Sequence, residues 1–144
     1  MRHFINILDH SRDELEWMLA RSFTQKARLK AGYPDTLMAG KILLMYFEKP
    51  STRTRLSLET AALTLGGHAI NESGSRLGTR EAIKDVARVV SRYVHMVSIR
   101  TFGHEIITEF APYSGVPVIN ALSDHSHPTQ DKADIMTKSE HVRA

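Results

Sequence analysis

Lys41-Ile42-Leu43-Leu44-Met45-Tyr46-Phe47 is an unbroken apolar run entered from Gly40, and it passes directly into the polar run Glu48-Lys49-Pro50-Ser51-Thr52-Arg53-Thr54-Arg55. A short continuous apolar run of this kind is the signature of a strand buried on both faces, which favours a parallel sheet. The text after it predicts a helix over Ser51 to Leu65, closed by Gly66-Gly67, and then a short strand at His68-Ala69-Ile70. A polar loop over Asn71 to Arg80 follows. Ile83, Val86, Ala87 and Val90 fall at i, i+3, i+4, i+7, predicting an amphipathic helix from Ala82 to Tyr93. Met96 to Arg100 reads as a third strand. Ile106, Ile107, Phe110 and Ala111 suggest a helix weakened near Pro112, Val116 to Asn120 a fourth strand, and Thr129 to Val142 a last helix.

Upstream of the first strand, Ser11-Arg12-Asp13-Glu14 has the form of a capping box. A helix begins there, with Leu15, Met18, Leu19, Ala27 and Leu29 as an imperfect apolar stripe ending at the Gly32-Tyr33-Pro34-Asp35 breaker. The alternation of strands and helices predicts a three-layer α/β domain: a four-stranded parallel sheet with right-handed crossovers and helices on both faces, spanning residues 1–144. There is no internal repeat, linker or low-complexity segment.

Composition bounds the function. The chain has 144 residues, 42% of them apolar, and 19 Lys+Arg against 16 Asp+Glu give a formal charge of +3. A domain of this size can build its core without disulfides or a structural metal. The absence of cysteine excludes disulfide scaffolds, Cys-based zinc sites, iron–sulfur clusters and thiol catalysis, and it fits a reducing compartment. No apolar stretch is long enough for a membrane span, and Met1-Arg2-His3-Phe4 leads into no signal-type run, so a cytoplasmic location is expected. The basic surplus is spread thinly, which suits an anionic ligand better than a nucleic-acid track.

Ligands of open parallel sheets bind outside the carboxyl ends of the strands. Three polar clusters fall at such ends: Glu48 to Arg55, Arg100-Thr101, and Asn120 to Gln130 with His127-Pro128-Thr129-Gln130. In the first, Ser51, Thr52 and Thr54 offer hydroxyls beside unpaired first-turn amides, and Arg53 adds a charged fork, so a phosphate meets donors and the positive helix end together. The bland alternative is that Ser51 or Thr52 is only an N-cap and the arginines a solvated face. Arg100 has the alternative of a buried ion pair. His125 and His127, with only Asp124 and Asp131 as local carboxylates, make a poor closed metal site. His68, His95 and His104 read as structural or surface residues.

These motifs resemble, in order and over nearly the whole chain, those of the aspartate and ornithine carbamoyltransferases. The stretches that carry the resemblance are Phe47 to Arg55, Leu65-Gly66-Gly67-His68, Ile83-Lys84-Asp85-Val86-Ala87-Arg88, Arg100-Thr101-Phe102, Pro117-Val118-Ile119-Asn120 and His127-Pro128-Thr129-Gln130. The chain looks like that family's N-terminal, carbamoyl-phosphate-binding domain, and Arg100-Thr101-Phe102 with Ser91-Arg92-Tyr93 points to the ornithine branch. The resemblance implies that Ser51, Thr52, Arg53 and Thr54 hold the phosphate, that Thr54, Arg100 and His127 face the carbamoyl oxygen, and that Gln130 meets the carbamoyl amide. Arg53, Arg100 and His127 form its implied catalytic set, and Arg55 makes supporting ion pairs. It implies no cofactor and no metal.

Family members carry a second, amino-acid-binding domain, and its motifs are absent here, so the isolated chain is expected to have little activity. In the family the loop from Ser73 to Glu81 reaches a neighbouring subunit's site in a trimer, which makes Arg76 a cross-subunit phosphate contact. Asp131, Lys132 and Lys138 put charge where the family has small or aliphatic residues. Three alternatives remain: a stand-alone module that binds carbamoyl phosphate or phosphate without catalysis, an aspartate carbamoyltransferase domain, and nucleic-acid binding through Arg53, Arg55, Arg76 and Arg80. The last lacks interleaved basic and aromatic residues.

Overall fold

In a computed structural model, which describes residues 2–142 other than Ser75, the apolar run after Lys41 is strand β1, Ile42–Phe47. Its side chains alternate between two cores. Leu43, Met45 and Phe47 pack with Ala62 and Ala121 on one face, whereas Leu44 joins Val97, Ile99, Ile107, Phe110 and Val118 on the other. Both faces are therefore covered, which is why the run shows no polar alternation.

Around β1 lie α1 (Arg12–Lys30), α2 (Thr52–Thr64), β2 (His68–Ser73), α3 (Ile83–Val90), β3 (Met96–Arg100), α4 (His104–Phe110), β4 (Val118–Leu122) and α5 (Pro128–Val142), with 3-10 turns at Ile7–Asp9 and Ala111–Tyr113. The sheet is four-stranded and parallel in the order β2-β1-β3-β4. The chain leaves β1 for one edge and returns past it to β3, so the strand order reverses between the carboxyl ends of β1 and β3. That reversal opens the crevice in which such sheets bind ligands.

Local signals set the helix ends. The Ser11 hydroxyl accepts from the Glu14 amide at 3.3 Å while the Glu14 carboxylate accepts from the Ser11 amide at 2.8 Å, the reciprocal pair that starts α1. At the end of α2, Gly66 takes φ +82°, the Gly67 amide donates to the Ala62 carbonyl at 2.8 Å and the Gly66 amide to the Leu63 carbonyl at 3.0 Å. This double closure needs the left-handed residue that glycine supplies.

Several boundaries differ from expectation. β2 continues through Asn71, Glu72 and Ser73 because it is an edge strand paired along the whole of β1, and its outer side tolerates polar residues. β4 lies two residues later than Val116 to Asn120: Pro117 has no amide to donate, and a bulge opposite Ile99 and Arg100 carries the strand on to Leu122. The helix expected over Ala82 to Tyr93 covers only Ile83–Val90, and the one before Pro112 tightens into the 3-10 turn. The apolar stripe of α1 buries little, for no residue of α1 is fully buried and Leu29 is 55% exposed. Ser75, within the loop read above, lies outside the described residues. Among the described residues no helix is long and apolar enough to cross a membrane.

Candidate functional site

The carboxyl ends of β1, β3 and β4 enclose a cavity of about 590 Å³. Its lining includes Ser51, Thr52, Arg53, Thr54 and Ser57 from the start of α2, Arg100 from the end of β3, Leu122 from the end of β4, and His127, Thr129 and Gln130 from the start of α5. Two helix N-termini thus open onto one crevice. Each presents the positive end of its dipole, α2 with unpaired first-turn amides and α5 with the Thr129 amide.

Ser51 occupies the N-cap position of α2 in extended conformation, φ −157° and ψ 109°, yet its side chain makes no capping hydrogen bond. The N-cap alternative for Ser51 therefore fails on geometry. Among the described residues the side chains of Ser51, Thr52, Arg53 and Thr54 have no hydrogen-bond or ion-pair partner, and the first turn of α2 contains no acidic residue. Such a cluster of donors and positive charge can receive an anion. Arg55 points elsewhere and pairs with Glu59 at 3.4 Å, the supporting ion pair expected of it.

Among the described residues Arg100 has no such pair. Its Nε is buried without a hydrogen-bond partner, and burial lowers the guanidinium pKa below its ordinary value, since desolvation disfavours the charged form. The group remains protonated at neutral pH. An incoming oxygen acceptor would satisfy that nitrogen. His127 is lowered too, first by burial and then by the positive charge of Arg100, against the opposing pull of Asp131 and Asp134. Its ring is accordingly neutral at neutral pH, and Thr129 Oγ1 lies 3.1 Å from its Nδ1. With the hydroxyl donating to Nδ1, the ring proton sits on Nε2 and is free to be donated.

Gln130 donates through Nε2 to Asp134 at 2.8 Å, which leaves its carbonyl oxygen to accept from a ligand amide. Pro128 sits at the first position of α5, where its missing amide costs nothing, and the His127 carbonyl accepts from the Gln130 and Asp131 amides at 2.9 and 3.1 Å.

Two supporting residues were not assigned a role from sequence. Asn120, fully buried, donates to the Ile5 and Ser126 carbonyls at 3.0 and 3.3 Å and accepts from the Leu122 amide at 3.0 Å. It thereby braces the β4 bulge, which holds Leu122 at φ 148°, a strained value for a residue with a side chain, on the cavity wall. Glu48 binds Thr101 and the Leu77 amide. An amide or carboxylate closing an otherwise apolar strand was the available signal for both.

Not every candidate enters the cavity. Arg76 is exposed and is not part of its lining. His125 does not join His127: its ring packs on His104 with centroids 4.8 Å apart, and its Nε2 lies 3.3 Å from the side-chain Nδ2 of Asn6. His104 also lies 2.8 Å from the Ser123 hydroxyl. Among the described residues no group of three or more His, Cys, Asp or Glu side chains could hold a metal ion.

Residues 2–140 match the family model described as the carbamoyl-P binding domain of aspartate/ornithine carbamoyltransferase. The chain is 49% identical over 143 residues to an ornithine carbamoyltransferase of Brucella suis, a match that covers 98% of this chain and 46% of that protein. It is 50% identical over 142 residues to one of Wolinella succinogenes, covering 97% of this chain and 46% of that protein. Among solved structures, the ornithine carbamoyltransferase of Pyrococcus furiosus superposes with a TM-score of 0.96 at 42% identity, covering 99% of this chain and 46% of that one. The chain thus spans less than half the length of the relatives it matches.

Proposed function

Because the chain belongs to the carbamoyl-phosphate-binding domain family of the aspartate/ornithine carbamoyltransferases, we propose that its cavity binds carbamoyl phosphate and serves carbamoyl transfer to the amine of ornithine, giving citrulline and phosphate. The observation that carries this reading is the convergence of unpartnered donors, from the start of α2, from Arg100 and from Nε2 of His127, on one cavity at the sheet's switch point.

In the transfer, the amine nitrogen attacks the carbonyl carbon, the carbon–oxygen bond to phosphate breaks, and the amine's proton passes to the departing phosphate. Negative charge grows on the carbonyl oxygen and on the departing phosphate. Preorganised donors at both ends stabilise that charge where water is excluded. Ser51, Thr52, Arg53 and Thr54 take the phosphate. Arg100, His127 and the Thr54 hydroxyl take the carbonyl oxygen, and the Gln130 carbonyl orients the amide. Binding and orientation of ornithine fall to the part of the relatives that lies outside this match, and the amine must be held to gain the proximity advantage.

The reading extends to a cytoplasmic protein of arginine biosynthesis that forms trimers in which Arg76 reaches the phosphate of a neighbouring site. Residues 1–144 act in it as one carbamoyl-phosphate-binding domain. Calorimetry with carbamoyl phosphate and with inorganic phosphate tests it. A charge-assisted hydrogen bond contributes about 1.5–3 kcal/mol, so Arg53→Ala is expected to weaken both ligands about tenfold to a hundredfold. Unchanged affinity in that variant removes the phosphate assignment.

A further inference from the structure

We propose that Glu48 is a positioning residue that locks the Arg76–Leu77 segment to the cavity, so that a ligand held at Arg100 also restrains the loop carrying Arg76. This rests on reading the cavity as a carbamoyl-phosphate site. Glu48 sits in the turn after β1. Its amide donates to the Arg100 carbonyl at 2.9 Å, one carboxylate oxygen accepts from the Thr101 hydroxyl at 2.6 Å, and the other accepts from the Leu77 amide at 3.1 Å.

Both side-chain bonds end on buried groups, since Thr101 is fully buried and Leu77 is 7% exposed, with its side chain in the core beside Ile83. Bonds shielded in this way meet little competition from water. A second tie joins the same two turns: Lys49 Nζ lies 4.4 Å from the centroid of the Phe102 ring. The turn that presents Arg100 to the cavity is therefore fastened through Thr101 and Glu48 to the amide adjoining Arg76. Removal of the carboxylate loosens the segment, because no other side chain is bonded to the Leu77 amide among the described residues, and leaves it held by the packed Leu77 side chain and the Thr79 hydroxyl on the Arg76 carbonyl.

Trypsin cleavage after the exposed Arg76 and Arg80 tests the link, measured on the full chain with and without carbamoyl phosphate at a concentration where light scattering finds monomer, so that no neighbouring site holds Arg76. In the native chain the ligand is expected to slow cleavage at these two sites. Glu48→Ala is expected to cleave about tenfold faster without ligand, as a local opening made easier by two lost hydrogen bonds, and to gain no protection from the ligand. Glu48→Gln is expected to stay within about twofold of native, since its carbonyl can accept from Leu77 while its amide donates to a reversed Thr101 hydroxyl. Native cleavage rates in Glu48→Ala, or equal loosening in Glu48→Gln, overturn the proposal.

Should Glu48→Ala fail to fold, Thr101→Val cuts the link at one end while the Leu77 bond stays: loss of ligand protection supports the proposal and retained protection overturns it. If calorimetry shows that the native chain does not bind carbamoyl phosphate, the reading of the cavity fails. The ligand-free comparison of Glu48→Gln with Glu48→Ala then still decides whether Glu48 positions the segment.

Discussion

Arg100→Met is expected to separate binding from stability. In the free protein the Arg100 guanidinium is partly desolvated and, among the described residues, has no carboxylate partner, and its Nε is a buried donor without an acceptor. An unsatisfied buried donor costs about 1–3 kcal/mol, and methionine removes it while keeping an unbranched stem of similar reach. Some packing of the arginine stem is lost in exchange. The two changes oppose each other, so the unfolding free energy of the ligand-free chain should move by less than about 1 kcal/mol, in either direction. Binding has no such compensation. One charge-assisted bond to the carbonyl oxygen is worth about 1.5–3 kcal/mol, which corresponds to a loss of about tenfold to a hundredfold in affinity for carbamoyl phosphate. Inorganic phosphate, held at the start of α2, should lose less. Urea unfolding without ligand and calorimetry with both ligands measure the two quantities on the same preparation. A fall in stability of several kcal/mol with affinity unchanged would mean that Arg100 is a structural residue, and equal losses for both ligands would remove it from the carbamoyl end.

Three further outcomes follow from the same geometry. His127 titrates below the ordinary histidine value of about 6.5 because burial, and then Arg100, disfavour its charged form, so the folded chain binds its proton less readily than the unfolded chain. Its contribution to stability is complete above about pH 6.5 and falls as pH drops toward the folded value; NMR titration should place its midpoint low and show it rising in Arg100→Met and on addition of carbamoyl phosphate, and a midpoint at or above 6.5 in the free chain contradicts this. Gly67→Ala should destabilise the fold by about 1–3 kcal/mol in urea, since a Cβ there would sit 2.8 Å from Met38 Cβ and 2.9 Å from the Met38 carbonyl oxygen, and a neutral result would show that the turn over 38–41 yields freely. Light scattering should find concentration-dependent trimers and a citrulline assay little turnover by the isolated chain; monomer alone at high concentration removes the cross-subunit role of Arg76, and turnover like that of a full-length relative shows that the acceptor site lies within these residues.

What the sequence determined by itself was whatever depends on neighbours along the chain. The apolar run Ile42–Phe47 carries the signature of a two-faced strand, Ser11 and Glu14 are close enough in sequence to cap one another, and Gly66-Gly67 can close α2 because the bonds concerned span a single turn. Composition and order placed Ser51 to Thr54, Arg100 and His127 at strand ends for the same reason, so most of the cavity lining was legible. The length of β2 was not, because the pairing partner in β1, and not the polarity of Asn71 to Ser73, decides where it stops. Nor was the continuation of β4 to Leu122, which depends on a bulge braced by Asn120 through the Ile5 carbonyl 115 positions away. Glu48 is the sharpest case: its partners Leu77 and Thr101 lie 29 and 53 positions off, brought to its carboxylate only when β1 and β3 pair in register and the loop after β2 folds back over them. Tertiary structure alone decided that Ser51 leaves its hydroxyl uncapped, that Arg100 keeps a buried nitrogen unpaired and that His125 turns away from His127, because each depends on what surrounds a side chain in space and not on which residues flank it.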